Sequence, residues 1–133
     1  MSMRADLVTR LLGHTPLVAI VGSAVSWFEK DRGDSYPALI LNSIPTPRDY
    51  AHDGWDGIDE ARVQFDAYAT DPDQAEALGA AVIPAMEAAG IWGATEFGPG
   101  FFEGANTVPE GEQAGGQRLY RMSFDFTFHH KAL

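Results

Sequence analysis

The 133-residue chain contains no cysteine, and its nine lysines and arginines are few beside 19 aspartates and glutamates. The absence of cysteine excludes disulfides and thiolate metal sites, so nothing ties the protein to an oxidising compartment. The formal net charge of -10 disfavours wrapping on a phosphate backbone, because nucleic-acid affinity depends on lysines and arginines. The composition therefore argues against direct nucleic-acid binding.

Long hydrophobic runs are also missing. No segment approaches the length needed to cross a bilayer, and the N-terminal residues lack the sustained apolar core of a signal peptide. An apolar content of 45% nevertheless favours a folded chain. We expect one soluble, cytoplasmic domain covering residues 1–133.

Catalytic signatures are absent too, since the chain has no Gly-x-Ser-x-Gly elbow and no phosphate loop. Asp53, Asp56 and Asp59 lie close together in sequence but lack the ordered ligand series of a calcium loop, so a solvated or partner-facing loop is the better interpretation. His129 and His130 are neighbours on a predicted strand, where consecutive side chains point to opposite faces. We therefore predict no catalytic residue, no cofactor and no metal.

Two strand-like segments organise the chain. Residues 61–69 alternate between apolar and polar positions, as in a strand with one buried face, and residues 38–41 form a short apolar strand that follows Tyr36-Pro37. Residues 24–28 have the β-branched and aromatic content of a further short strand. Residues 45–60 join them as a long acidic flap that contains Trp55. A further strand with a clear alternation covers residues 120–128, whereas residues 103–116 are predicted to be a polar, glycine-rich loop and residues 91–96 a strand.

Helix signals surround these strands. Residues 4–12 form an amphipathic helix that ends at Gly13, and a short helical turn covers residues 17–21 with Thr15 as its N-cap. The main helix has Asp71 as N-cap and Pro72 as first residue, and it ends at Gly90. The predicted fold class is α+β: a largely antiparallel sheet of about four to five strands with two main helices packed on one face.

The order and spacing of these segments resemble the tail terminator proteins of long-tailed bacteriophages, also called tail completion or minor tail proteins. The resemblance includes residues 16–22 and 36–41, and it is clearest where the strand Ala61–Ala69 is followed by the helix that contains Ala75–Leu78. It ends in the strand that contains Leu119–Phe126.

The resemblance implies a structural virion protein and not an enzyme. Such proteins form a ring, typically hexameric, on the head-proximal end of the tail tube. They stop tube polymerisation and join the tube to the head connector or stopper protein, while DNA passes through without specific binding. The implied partners are further copies of the chain, the major tail tube protein and the connector, and the free chain can stay monomeric until assembly.

We expect Asp53, Trp55, Asp56 and Asp59 to face a partner. A tryptophan such as Trp55 or Trp92 is either an interface anchor or a ring folded back on its own loop, and the sequence leaves both open. Two other functions also remain open. One is a head-tail connector or stopper component, and the other is a small α+β ligand-binding or enzymatic domain with a pocket under Trp92, Phe101 and Phe102 that converges on His14 or His52.

Overall fold

The computed structural model describes residues 2–30, 35–45, 50–51, 54–55, 58–112 and 118–133. Three helices and nine strands follow one another along these segments. In chain order they are α1 (Met3–Leu12), α2 (Thr15–Val21), β1 (Val25–Trp27), β2 (Ala38–Ile44), β3 (Tyr50–Ala51), β4 (Gly54–Trp55), β5 (Asp59–Ala69), α3 (Pro72–Glu87), β6 (Gly90–Trp92), β7 (Thr95–Phe97), β8 (Phe101–Glu112) and β9 (Arg118–Ala132).

Seven of the strands form one mixed sheet in which β9 is central. One side of β9 pairs with β5, followed outward by β2 and β1. The other side of β9 pairs with β8 over its first part and with β7 near its C-terminal end. The strands β3 and β4 form a separate two-stranded sheet.

The α+β class is confirmed, but the strand count and the strand directions differ from the prediction. The sheet has more strands than expected, and β1 runs parallel to β2. The turn connecting β6 to β7 divides the segment predicted as one strand into a hairpin. The short strand predicted at residues 24–28 is confirmed as β1. The extra strands are β8, in a segment predicted as a loop, and the second arm of the β6–β7 hairpin, whose arms of three residues are too short for an alternating pattern to reveal them.

The helices cover one face of the sheet, as predicted. Val63 and Phe65 of β5, with Phe126 of β9, are fully buried beneath Leu78 and Met86 of α3. Because β5 and β9 alternate strictly, the same strands direct their polar residues to the opposite face. We call that surface of the sheet, on which none of the described helices packs, the open face.

The local signals at α3 are confirmed at its start. Asp71 is the N-cap and accepts a hydrogen bond from the Gln74 N–H at 3.1 Å, with Pro72 as the first helical residue. The helix ends at Glu87, earlier than predicted, because Gly90 already belongs to β6. The second helix also starts earlier, with His14 and not Thr15 at its N-cap position.

The predicted glycine-rich loop at residues 103–116 is wrong for its described part. Residues 103–112 belong to the 12-residue strand β8, which pairs antiparallel with β9. The flap is also shorter than predicted, since Asp59 and Glu60 already pair within the sheet as part of β5. Within the described segments, none of the helices is both long enough and apolar enough to span a membrane.

Candidate functional site

The predicted partner-facing residues lie at and before the start of β5. Asp53 and Asp56 fall outside the described residues, as does the side chain of Trp55, whose backbone pairs with Tyr50 across β3 and β4. Asp59 is the first residue of β5, is half-buried, and stands opposite His130 of β9. The structure thus places Asp59 in the main sheet and Trp55 in the smaller one.

His130 and its neighbour His129 diverge, as strand alternation predicts. Burial lowers the pKa of His130, an effect that the Asp59 carboxylate opposes and the nearby His129 reinforces. His129 instead approaches Glu60, with 3.7 Å between Nε2 and Oε2. No group of three histidine, aspartate or glutamate side chains placed to bind a metal occurs in the described part of the chain.

Trp92 is folded back onto the protein. Its ring is half-buried, and the Arg10 guanidinium carbon lies 4.5 Å from the ring centroid. Arg10 is itself 2% exposed and donates hydrogen bonds to the carbonyl oxygens of Ala85, Met86 and Ala88 at the end of α3. Burial lowers the pKa of Arg10 to about 10, so it remains charged at neutral pH. Trp92 is therefore part of the structural contact between α1 and α3.

The ligand pocket predicted under Trp92, Phe101 and Phe102 is not formed as expected. A cavity of about 140 Å³ lies beside Trp92 and is lined by Arg10, His14 and Pro84. This is smaller than the several hundred cubic ångströms of a typical ligand site. Phe101 and Phe102 are 58% and 40% exposed on β8, while His52 lies outside the described residues.

A charged network covers the open face of the sheet. Arg62 of β5 donates from Nε and Nη2 to the same Asp125 oxygen on β9, at 3.0 and 2.9 Å. Arg121 of β9 places Nε 2.7 Å from Glu110 on β8, and its Nη1 lies 3.9 Å from Asp66 on β5. These contacts pair Arg62 and Arg121 with carboxylates of neighbouring strands.

Asp66 is the buried centre of this network. Although it belongs to the polar set of β5, it is only 3% exposed. It accepts hydrogen bonds from the side-chain amides of Gln64, at 3.1 and 3.2 Å, and Asn42, at 3.4 Å. Burial raises the pKa of the neighbouring Tyr68, and the Asp66 charge raises it further. The network thus connects β2, β5, β9 and β8 through their side chains.

The sheet has two unlike edges. At one edge β1 pairs over only three residues, and the exposed Phe28 follows it. At the other edge β8 is long, and no described strand pairs with its outer side. Sequence reasoning gave no role to Phe28 or to the β8 aromatics as surface groups, because pairing order decides which strands lie at an edge.

Comparisons with known proteins identify the fold and the family. A solved structure of the virion of a native gene transfer agent particle contains a chain that is 18% identical, with a TM-score of 0.66 over 98% of this chain and 96% of that chain. A second solved chain, without a descriptive name, is 16% identical, with a TM-score of 0.54 over 95% of this chain and 92% of its own length. These two likenesses show the fold, and no curated protein matches the chain.

The family comparison extends over almost the whole sequence. The model described as tail completion protein gp17 matches residues 5–131, which include every helix and strand of the main sheet except the outermost residues of α1 and β9. The chain belongs to the tail completion protein gp17 family, and its role is a structural one in tail assembly.

Proposed function

We propose that this chain is the ring-forming subunit that caps the finished tail tube. The ring, a hexamer, stops tube polymerisation and presents the joining surface to the head connector or stopper protein. It lies at the head-proximal end of the virion tail and assembles in the host cytoplasm. Residues 1–133 act as one domain in this assembly.

The observation that carries the ring is the pair of unlike edges on opposite sides of one sheet, neither of which pairs with a further strand among the described residues. Two complementary surfaces on opposite sides of a subunit allow head-to-tail contacts, and such contacts close into a ring when the rotation between subunits allows it. Family membership supports the tail as the place of assembly.

The charge distribution supports a conduit for DNA. The net charge is -10, and the open-face arginines Arg62 and Arg121 are already paired with carboxylates. Such a surface offers few free cations to phosphates, so DNA passes without specific binding.

The flap supplies the contact with the tube or the connector. In this proposal Asp53, Trp55, Asp56 and Asp59 face that partner, with Trp55 as the apolar anchor and the aspartates as a polar rim. Asp59 begins β5, so the flap leaves the main sheet at a fixed point.

The test is negative-stain electron microscopy of the purified protein mixed with tubes polymerised from the adjacent major tail protein. We expect a ring of density on one end of each tube and arrest of tube lengthening. Trp55→Ala should reduce the capped fraction about tenfold or more, because interface tryptophans are frequent hot spots. Leu12→Ala, a truncation of an exposed apolar residue at the end of α1, should cap normally.

Tubes that continue to grow in excess protein would contradict the proposal. A ring that binds the connector but leaves tube ends free would instead assign the chain to the connector or stopper role. Equal capping by Trp55→Ala and the unmodified chain would show that Trp55 does not contribute to the partner surface, and it would leave the proposed ring function unchanged.

A further inference from the structure

We propose that neighbouring copies of this chain meet through the two opposite edges of the sheet. The first surface, which we call the β1 patch, consists of Arg4, Trp27 and Phe28. The second, the β8 patch, consists of Phe101, Phe102 and Glu103. This inference rests on the proposed ring function and specifies the subunit contact within it.

The β1 patch is an exposed aromatic and cationic surface. The Arg4 guanidinium carbon lies 4.9 Å from the ring centroid of Phe28 and 5.6 Å from that of Trp27. Trp27 Nε1 donates to the Arg4 carbonyl oxygen at 3.0 Å, which holds α1 against the end of β1. The ring of Phe28 is nevertheless 53% exposed.

The backbone of Phe28 is strained. Its φ of 71° lies in the left-handed region, which a bulky residue other than glycine rarely adopts. Such a conformation is energetically costly and tends to occur at functional sites. Here it holds an aromatic ring in solvent beside a cation, which is the arrangement of an interface anchor.

The β8 patch combines exposed aromatics with a fixed carboxylate. The Phe102 ring contacts the core rings of Phe124 and Phe126, with centroid distances of 6.0 and 5.7 Å. Glu103 accepts a hydrogen bond from the Thr127 hydroxyl at 3.1 Å. The patch is therefore anchored to β9 while its outer side faces solvent.

The two patches carry complementary charges. No carboxylate lies within 4 Å of the Arg4 guanidinium in the described segments, and there no lysine, arginine or histidine lies within that distance of Glu103. Bringing Arg4 of one copy beside Glu103 of the next supplies each with an opposite charge. An isologous contact between two β1 patches would instead place Arg4 beside Arg4.

The patches also lie at the same height across the sheet. The N–H of Phe28 donates to the carbonyl oxygen of Leu41, and Leu41 is in register with Phe65, which is in register with Phe124. Phe124 in turn stands opposite Ala105, two residues after Glu103. When the strands run parallel to the ring axis, a contact between two surfaces at the same height places each subunit beside the previous one without shifting it along the axis. A closed ring requires this arrangement.

Side chains, and not continued strand pairing, form this contact. Glycines with positive φ at 104 and 111 accompany the two irregularities of the β8 ladder, and Pro109 lacks a backbone donor. Bulges, proline and charge are the features that prevent indiscriminate pairing at an edge strand. The β8 edge therefore favours a partner whose side chains complement its aromatic and acidic groups over a further strand that pairs with its backbone.

The cysteine-free sequence allows a direct test by cross-linking. Phe28→Cys and Phe102→Cys are prepared separately, mixed with each other and with major-tail-protein tubes, and treated with a short bismaleimide. We expect a cross-linked dimer only in the mixture, because each variant alone lacks the second thiol at the contact. Glu87→Cys, an exposed position on α3, replaces either partner as the control and should give no dimer.

A charge exchange provides a second readout. Arg4→Glu and Glu103→Arg should each reduce the capped fraction of tubes about tenfold, and the double variant should recover most of it. Glu87→Arg, which makes the same change of charge on α3, should have no effect. Circular dichroism of each variant establishes that it is folded before it is scored.

The outcomes separate this inference from the ring function. Capped tubes without the mixed cross-link would overturn the edge contact and leave the capping role intact. A mixed cross-link with tubes that continue to grow would support the contact and contradict capping. Absence of both, or dimers formed by Phe28→Cys alone, would overturn the proposed contact.

Discussion

The backbone N–H of Gly100 donates to the carbonyl oxygen of Met86 at 2.7 Å, so the chain entering β8 passes against the last turn of α3. A Cβ at Gly100 would lie 2.5 Å from that oxygen and 2.9 Å from the Phe126 ring. Gly100→Ala must therefore displace β8 from α3. We expect the free energy of unfolding to fall by about 1–3 kcal/mol, measured by urea denaturation.

Gly98 provides the matched control in the same connection. A Cβ there would lie no closer than 3.4 Å to any atom beyond its neighbours, which is an ordinary contact. Gly98→Ala should change the free energy of unfolding by less than about 0.5 kcal/mol. An equal fall in the free energy of unfolding for both variants would show that the close approach of Gly100 to Met86 is not the cause of the destabilisation.

Arg10 gives a second prediction, about a buried cation. Arg10→Met removes the donors to the α3 carbonyl oxygens and the contact with Trp92, leaving buried acceptors unsatisfied. We expect a loss of about 2–4 kcal/mol in the free energy of unfolding. Arg62→Met, which breaks the exposed pair with Asp125, should cost less than about 1 kcal/mol.

Thermal and urea denaturation of the two variants measure this difference. A cost for Arg10→Met as small as that for Arg62→Met would mean that water replaces the guanidinium at the end of α3. A cost of several kcal/mol for Arg62→Met would instead show that the open-face network stabilises the sheet more than an exposed ion pair normally does.

The sequence predicted the elements whose burial is one-sided. The strands β5 and β9 each bury alternate residues against α3, so their period of two is visible without a structure. The start of α3 was also predictable, because Asp71 and Pro72 favour a helix start through interactions with residues next to them in sequence. Both kinds of signal are local, and the structure confirms them.

The strand β8 was missed because it has no buried face. Most of its described residues are exposed on both sides, so they do not alternate. Gly104, Gly111 and Pro109 resemble turn residues in the sequence. They lie instead in an irregular edge strand, and bulges and edge strands tolerate glycine and proline. An edge strand can therefore have the composition of a loop.

The candidate contact surfaces were missed for a related reason. Phe28 and Phe102 become surface aromatics only because β1 and β8 lie at the two edges, and no sequence pattern states the order of strands in a sheet. Asp66 was predicted to be on the polar face, but its burial depends on Gln64, Asn42 and Arg121, two of which come from other strands.

His130 gives a prediction about pH. Burial lowers its pKa below the ordinary value of 6.5, so the unfolded chain binds the proton more readily. The contribution of His130 to stability is therefore present above pH 6.5 and is lost as the pH falls from there toward the lowered folded-state value. His130→Gln should lose less of its free energy of unfolding between pH 7.5 and pH 5 than the unmodified chain, as measured by urea denaturation across that range.

His129→Gln is the comparison for the pH measurement, because the charge of the exposed His129 is a smaller cause of the lowered His130 pKa than burial is. Its unfolding should keep most of the pH dependence of the unmodified chain, since the His130 ring stays buried. If His130→Gln and the unmodified chain respond identically to acid, then another group accounts for the dependence, and burial of the His130 ring carries no proton linkage.

Asp66 and Asp125 lie on the same face of the sheet but differ in burial, so the effects of removing each carboxylate should differ. Asp66 is 3% exposed and holds the amides of Gln64 and Asn42, whereas the Asp125 side chain is 20% exposed and pairs with Arg62. Asp66→Ala leaves buried donors without an acceptor, so it should cost about 1–3 kcal/mol in the free energy of unfolding. Asp125→Ala should cost less than about 1 kcal/mol, because its partner can return to water.

The ionisation of the Tyr68 hydroxyl provides a measurement of the Asp66 charge that does not depend on the free energy of unfolding. The negative charge of Asp66 contributes to the raised pKa of the Tyr68 hydroxyl, after burial. Asp66→Asn keeps the shape of the side chain and removes the charge, so Tyr68 should ionise at a lower pH in spectrophotometric titration, with Tyr68→Phe used to assign the transition. Asp125→Asn should leave that transition unchanged. An unaltered Tyr68 transition in Asp66→Asn would mean that the Asp66 charge is screened on the open face and does not contribute to the raised pKa of Tyr68.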